Sequence, residues 1–415
     1  MAGSPPGAPG PSRRSSRSPS HSRASSRSST STSSSERDQA DITARLQLLA
    51  RDAKASRVPF ENDRSQHYRV FCRAICNLLS TELALFTFAQ SIDGLPTSDV
   101  AWDRRYPDLH GEHPIEQHED ICPGVFDRAR QLRQDFGPGV LSFDPKALRS
   151  FRKSPPGSRL FNTRLIELVA VAMHEIGALL FQLGLQMHQG DIEAVDQWRE
   201  KPDELLPVVV PPRPTIFNHH GYLDHDLYPD GVADVVGYWA EDRILGGVTV
   251  FDRQSEQRAP QFPPNVYFHS CRAKLTKRYY QLRDDQQQAL LDFLVAENPD
   301  PSRSPLPITA DRRNVVRVNE EEAVLRHFYR DVWEHKAPTQ EDLKFLERAP
   351  RNVDYPEYEG FIKRLNTNFG AVTITVPSGP RGNDAPNDKG GDDKAGSAIG
   401  EGQGSKRNGG PEDNS

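Results

Sequence analysis

The stretch SRLFNTRLIELVAVAMHEIGALLFQLGLQM, residues 158–187, constrains the fold more than any other part of the chain. Phe161, Leu165, Leu168, Ala172, Ile176, Leu179 and Leu183 recur at three- and four-residue steps. Arg164, Glu167, His174, Glu175 and Gln182 hold a narrower polar sector. This pattern predicts a long helix buried around most of its circumference, with other elements wrapped around it. Glu167, His174 and Glu175 inside the apolar run oppose a membrane span, because each acid at mid-bilayer costs about 2.5–3.5 kcal/mol.

Helical periodicity also marks the chain ahead of this segment. Asp41 is placed to cap a helix carrying Leu46, Leu48 and Leu49, and residues 65–90 repeat Val70, Phe71, Ile75, Leu78, Leu79 and Leu83. A loop broken by Pro96, Pro107, Pro114 and Pro123 follows, and a loop that long is usually functional. A short helix is expected over 191–200.

Beyond residue 208 the period changes to two. Ile216–Phe217, Val235–Ala240, Ile244–Phe251, Val266–His269 and Lys274–Leu282 read as strands, with both alternation faces apolar in the second and third. Val232, Val235, Val236 and Trp239 also fit a helical face, but Gly237 and the paired valines favour strand. The connections are too short for parallel crossovers, so the strands should pair antiparallel. Helices should then follow Asp284, capped with Gln287, then Asn319, then Thr339 with Asp342, and a last one should span 356–365. The fold class is α+β: a helical N-terminal half, an antiparallel sheet of four to five strands, and C-terminal helices.

Two end segments differ in kind. Residues 1–37 are Ser, Arg, Pro and Gly with six Arg and one Glu, and residues 377–415 are rich in Gly, Asp, Asn and Lys. Both lack the apolar side chains that offset ordering entropy and are expected to be disordered. The core is then 38–376, either as one body or as a helical 38–200 part and a sheet-containing 201–376 part. With +5 in the first segment and −2 in the last, the net charge of −6 leaves −9 for the core. That balance opposes a general polyanion-binding surface.

Arg13, Arg14, Arg17, Arg23 and Arg27 could still attract RNA backbones through counterion release, and phosphorylation of the neighbouring serines would cancel that charge. No apolar run followed by a small-residue cleavage site opens the chain, and the four cysteines are too few for a disulfide framework. A reducing intracellular compartment, cytoplasmic or nuclear, is the expectation.

The segment ADVVGYWAEDRILGGVTVFDR, residues 233–253, resembles a group of uncharacterised proteins from filamentous fungi around the same Tyr-Trp-Ala-Glu and Gly-Gly wording. The likeness extends to NTRLIELVAVAMHEI before it and FHSCRAKLTKRYYQL after it. The resemblance implies a shared fold and carries no activity, cofactor or catalytic residue.

Candidate chemistry gathers in two His-rich loops. HHGYLDHDLYPD offers His220, Asp224 and His225, with His219 and Asp226 as alternatives, for a mixed nitrogen and oxygen site holding Zn²⁺, Mn²⁺ or Fe²⁺. Asx-turn chemistry accounts for the same aspartates without a metal. HGEHPIEQHEDIC offers His110, His113, His118 and Cys122 in no standard finger spacing. Cys72 and Cys76 read as small core residues on a helix face.

His174-Glu175 lacks the second His of the zinc-peptidase motif, since position 178 is Ala, and a hydrogen-bonded helical role is expected instead. There is no G-x-S-x-G and no phosphate-cradling glycine loop, and Gly246-Gly247 reads as a bulge inside a strand. Cys271 beside His269 is a conceivable thiol nucleophile. With no catalytic motif, the leading reading is a non-enzymatic interaction or regulatory protein with a protein partner and no membrane. The alternatives are a metal-assisted hydrolase using residues 218–230 and an RNA-associated protein using the Arg/Ser segment.

Overall fold

Helix α7, Arg159–Gln182, is the axis of the molecule. The computed structural model describes residues 34–61, 64–104, 113–190, 192–198, 213–259, 262–340, 344 and 354. The end segments before 34 and after 376, the basic residues Arg13 to Arg27, His110, and the helices expected beyond Thr339 and over 356–365 lie outside the described residues.

Ahead of α7 run α1 (Ser34–Ser56), α2 (Gln66–Leu79), α3 (Glu82–Asp93), α4 (Ser98–Trp102), α5 (Val125–Asp135) and α6 (Pro145–Lys153). Strands β1 (Val58–Pro59) and β2 (Ser142–Phe143) form a small antiparallel pair among them. Helix α1 starts before Asp41, inside the segment read as a disordered tail. The single periodic run over 65–90 is two helices bent by 74°, because Thr81 breaks the first and caps the second by accepting from the Ala84 N–H at 3.1 Å. The proline-rich loop carries α4 and a 3₁₀ turn, Pro114–Gln117. Helix α8, Ile192–Gln197, follows α7 as expected.

The largest correction concerns the segment after Gly231. Val232–Leu245 is helix α9, not strand. Every residue from Ala233 to Leu245 is buried, and a helix covered on all sides shows the same two apolar faces as a mid-sheet strand. Gly237 is the contact point with α7: a Cβ there would stand 2.8 Å from the His174 carbonyl oxygen, and one at Gly177 would stand 2.8 Å from the Ala240 Cβ. The glycines let the two backbones cross closely, which explains Gly237 without a strand. Gly246 caps α9 with φ 106°, so the Gly-Gly pair ends a helix rather than bulging a strand.

Helix α7 is long and apolar enough to cross a membrane, and two-thirds of its apolar window is buried inside the fold. Its charged groups are used internally. Glu167 lies 2.5 Å from Arg164 and 2.6 Å from Arg253, and His174 Nε2 sits 2.9 Å from Asp234 Oδ1 on α9.

The five-stranded sheet has the order β6-β5-β4-β3-β7, antiparallel throughout. Its strands are β3 (Val248–Asp252), β4 (Val266–His269), β5 (Tyr279–Gln281), β6 (Arg317–Val318) and β7 (Phe328–Tyr329). Helices α10 (Arg253–Arg258), α11 (Asp284–Val295) and α12 (Glu320–Leu325) punctuate them, and α11 is capped by Arg283 with Gln286, one residue earlier than the expected Asp284 with Gln287. Ile216–Phe217 is loop.

Alternation sorts the strand residues between two cores. Phe251, Val266, Phe268 and Tyr280 face the helices with Trp239 and Leu168, while Val248, Val250, Tyr267 and Tyr279 face Tyr222, Tyr228, Tyr238 and Phe328. The Tyr-Trp-Ala-Glu residues of α9 bridge these layers. Glu241 accepts from the Thr249 N–H at 2.7 Å and pairs with Arg330 at 2.7 Å, and the Tyr238 hydroxyl lies 3.4 Å from Glu334. Burial pushes the Glu334 carboxyl up to about 8 despite Arg330 beside it.

Candidate metal centre

The second face of the sheet ends in a cavity of about 180 Å³ where the C-terminus of β4 meets the start of β5 and of α12. Gly221, Asp224, His269, Tyr279, Glu320 and His335 are among its walls.

Glu320 is the focus of the site. As the first residue of α12 it carries one carboxylate oxygen, Oε1, that meets His220 Nε2 at 2.8 Å and His269 Nε2 at 2.9 Å. The three side chains come from a loop, a strand end and a helix start, separated in sequence by as much as 100 residues. One donor atom from each lies within 4.8 Å of the others. Ligands bonded at about 2.0–2.1 Å in tetrahedral array stand about 3.3 Å apart, so small movements of the two imidazoles off the shared oxygen admit an ion.

Two features prepare the imidazoles. His219 is buried and holds the loop in place: the Gly221 N–H donates to its Nδ1 at 3.1 Å, which leaves Nε2 to donate to the His269 carbonyl at 3.1 Å. That pairing ties the loop to the end of β4 and delivers the next residue, His220, to Glu320. The His269 ring stacks on Tyr279 with centroids 4.2 Å apart, and a Cβ at Gly221 would come within 2.6 Å of its Cε1. The ring is thus clamped between an aromatic face and a bare backbone.

Electrostatics hold the buried imidazoles neutral and the carboxylate ionised. Burial, reinforced by neighbouring imidazoles, holds His269 below its ordinary value and His219 well below, so both are neutral near pH 7. Burial and His269 push His335 down to about 4. Burial alone would raise the Glu320 carboxyl, but the charge of His220 and hydrogen bonds from both imidazoles outweigh it and hold the group well below its usual range. The carboxylate is already ionised, and an ion would displace the proton that each Nε2 now offers to Glu320, moving it to Nδ1 or releasing it.

The residues singled out in the sequence separate on this scaffold. His220 is in the centre and His219 supports it. Asp224 lines the cavity but is engaged by Lys336 at 3.1 Å. Asp226 also pairs with Lys336 at 3.1 Å, and His225 is exposed, away from the convergence on Glu320. His269 and Glu320 were not read as ligands. His269 stood out only beside Cys271, and Glu320 only as an acid at a helix start. Cys271 is no nucleophile: burial and the Asp242 carboxylate beside it push the thiol up to about 12.

The second His-rich loop also divides. His113 caps the 3₁₀ turn by accepting from the Ile115 N–H at 3.1 Å and packs on Trp198 with ring centroids 4.5 Å apart. His118 and Cys122 approach each other, joined by Asp93 and His188. Cys72 is partly buried and packs against the core, as read, whereas Cys76 is exposed, contrary to that reading. Comparison of the chain with protein-family models, curated proteins and solved structures gives no match.

Proposed function

We propose that the chain is a metal-dependent enzyme, with a divalent ion held by His220, His269 and Glu320 and water in the position that opens to the cavity. The observation carrying this reading is the convergence of two imidazole nitrogens on one carboxylate oxygen at 2.8 and 2.9 Å beside that cavity. Two His and one carboxylate with an open position form the donor set of catalytic Zn²⁺ and of non-haem Fe²⁺. The observation favours an enzyme over an interaction protein, since docking a partner requires no such set.

Hydrolysis is the chemistry the surroundings favour. An ion lowers the pKa of its water to about 7. Glu321, which lines the same cavity, would be the general base, taking a proton from the water as its oxygen bonds to an electrophilic carbon or phosphorus, while the ion would supply the charge that activates that water. It would return that proton to the leaving group as the scissile bond breaks. The cavity, about 180 Å³, is smaller than the roughly 300–1,000 Å³ of drug-sized ligand pockets. It suits a small substrate or the reactive end of a larger one.

The test is hydrolysis of chromogenic carboxylic and phosphoric esters by full-length chain stripped with chelator and reloaded with Zn²⁺, Mn²⁺ or Fe²⁺. Turnover should require metal, vanish in His269→Ala and Glu320→Ala, and persist in His225→Ala. Equal turnover in all of these proteins, with or without metal, would overturn the reading.

A further inference from the structure

We propose a second metal site, a closed structural Zn²⁺ centre formed by Asp93, His118, Cys122 and His188 at the far end of the helical part. It is independent of the reading above and shares no residue with it.

The donors come from four places that the fold brings to one point. Asp93 is the last residue of α3, His118 ends the 3₁₀ turn, Cys122 precedes α5, and His188 follows α7. Their ligand atoms all lie within 4.8 Å of one another. His118 Nε2 is 3.0 Å from Asp93 Oδ2, Cys122 Sγ is 3.2 Å from His188 Nδ1, and His188 Nδ1 is 3.8 Å from Asp93 Oδ2. Four-coordinate Zn²⁺ with bonds of about 2.0–2.3 Å to oxygen, nitrogen and sulfur has ligand–ligand spacings of about 3.3–3.6 Å. These three spacings are within a few tenths of an ångström of that range, and the remaining ones, all under 4.8 Å, must close by at most about 1.5 Å.

Unmet hydrogen bonds point to a missing cation. Asp93 is fully buried, yet its Oδ1 has no hydrogen-bond partner. His118 Nε2 makes no hydrogen bond either, although Asp93 Oδ2 is 3.0 Å away, so the ring nitrogen is not aimed along that line. A buried carboxylate oxygen without a donor costs several kcal/mol in an apolar setting, and an ion between the four groups removes that cost. The charges also balance: one carboxylate and one thiolate neutralise Zn²⁺, with two neutral imidazoles completing the shell.

The backbone around the cluster is built for rigidity. Gly94 ends α3 with φ 105°, and the segment after α7 lies against it, with the His188 N–H donating to the Asp93 carbonyl at 2.8 Å and Met187 N–H to Ile92 at 3.1 Å. Thiolate, imidazole and carboxylate with no vacant position fit a structural role. The ion would fasten the end of α3, the loop before α5 and the segment after α7 to one another.

Cobalt reads this site separately, because thiolate bound to Co²⁺ gives a near-ultraviolet charge-transfer band and the His220, His269 and Glu320 centre has no sulfur. Full-length chain loaded with Co²⁺ should show the band, Cys122→Ser should abolish it, and Cys271→Ser and His220→Ala should keep it. Alkylation of the unaltered chain, mapped by mass spectrometry, works even where a variant fails to fold. Zn²⁺ should protect Cys122 from iodoacetamide and leave the exposed Cys76 reactive. Absence of the band in the unaltered chain, its survival in Cys122→Ser, or equal alkylation of Cys122 with and without Zn²⁺ would each overturn the proposal.

Discussion

Two of the three clusters of metal-type donors among the described residues sit at opposite kinds of junction; the third, His219, Asp242 and Cys271, is buried throughout. At the end of the sheet, His220, His269 and Glu320 leave one side open to a cavity of about 180 Å³. At the end of the helical part, Asp93, His118, Cys122 and His188 supply four donors, including a sulfur. Donor number and access, more than donor type, separate a centre that can activate water from one that can only hold chains together. The orphaned atoms differ accordingly. In the open centre the carboxylate oxygen is doubly hydrogen-bonded, whereas in the closed one a fully buried carboxylate oxygen has no partner.

The largest effect expected is on metal affinity at the open centre. Glu320→Ala removes the one group that both imidazoles share, and loss of outer-shell partners alone costs about 10–100-fold. Losing a direct ligand should exceed about 100-fold, measured by competition with a chelator of known strength. A loss of equal size in His225→Ala would erase the distinction between the loop histidines.

Next in size is Gly221→Ala. The added Cβ, 2.6 Å from His269 Cε1, must displace the ring or the loop, which should cost about 1–3 kcal/mol of stability by overpacking. Thermal or denaturant unfolding measures it. Cobalt charge transfer at Cys122 should be untouched by this change, which makes it a test that the centres are independent.

Proton release on Zn²⁺ binding should tell the centres apart more finely. Burial and the nearby Asp93 charge raise the Cys122 thiol above its ordinary 9.0. It is protonated near pH 7 and must give up its proton to the ion, so affinity at the closed centre should rise about tenfold per pH unit between pH 6 and 8. At the open centre Glu320 is held well below 4.5 and His269 below 6.5, and no thiol contributes, so a thiol's proton release over that range is absent there. Calorimetry in buffers of different ionisation heat, on Cys122→Ser beside Glu320→Ala, measures both. The same slope in both variants would contradict the assignment.

The smallest effect is expected at His225→Ala, an exposed position, which should stay within about 0.5 kcal/mol in stability and leave both metals bound.

Much of the framework was legible because periodicity survives in single sequence. The alternation of Val248, Val250, Tyr267 and Tyr279 against Phe251, Phe268 and Tyr280 reads directly as a two-faced sheet. Helix α9 did not, because burial on every side removes the polar face that separates period 3.6 from period 2. The open centre was half visible: a His-rich turn flagged His220, but its partners His269 and Glu320 lie 49 and 100 residues further on and carry no local mark. The closed centre was fainter still, since Asp93 and His188 stand 29 and 66 residues from Cys122, one at a helix end and one after a helix. Residue types name the donors that a chain owns, and only packing decides which of them meet.

An ion held by His220, His269 and Glu320 is what the proposed chemistry depends on. Equilibrium dialysis of full-length protein against Zn²⁺, followed by element analysis, tests it most directly when the double variant His269→Ala/Glu320→Ala is run beside the unaltered chain and Cys122→Ser. Two bound ions are expected in the unaltered chain, one in each variant, and none when the changes are combined. Two ions retained by His269→Ala/Glu320→Ala would contradict it.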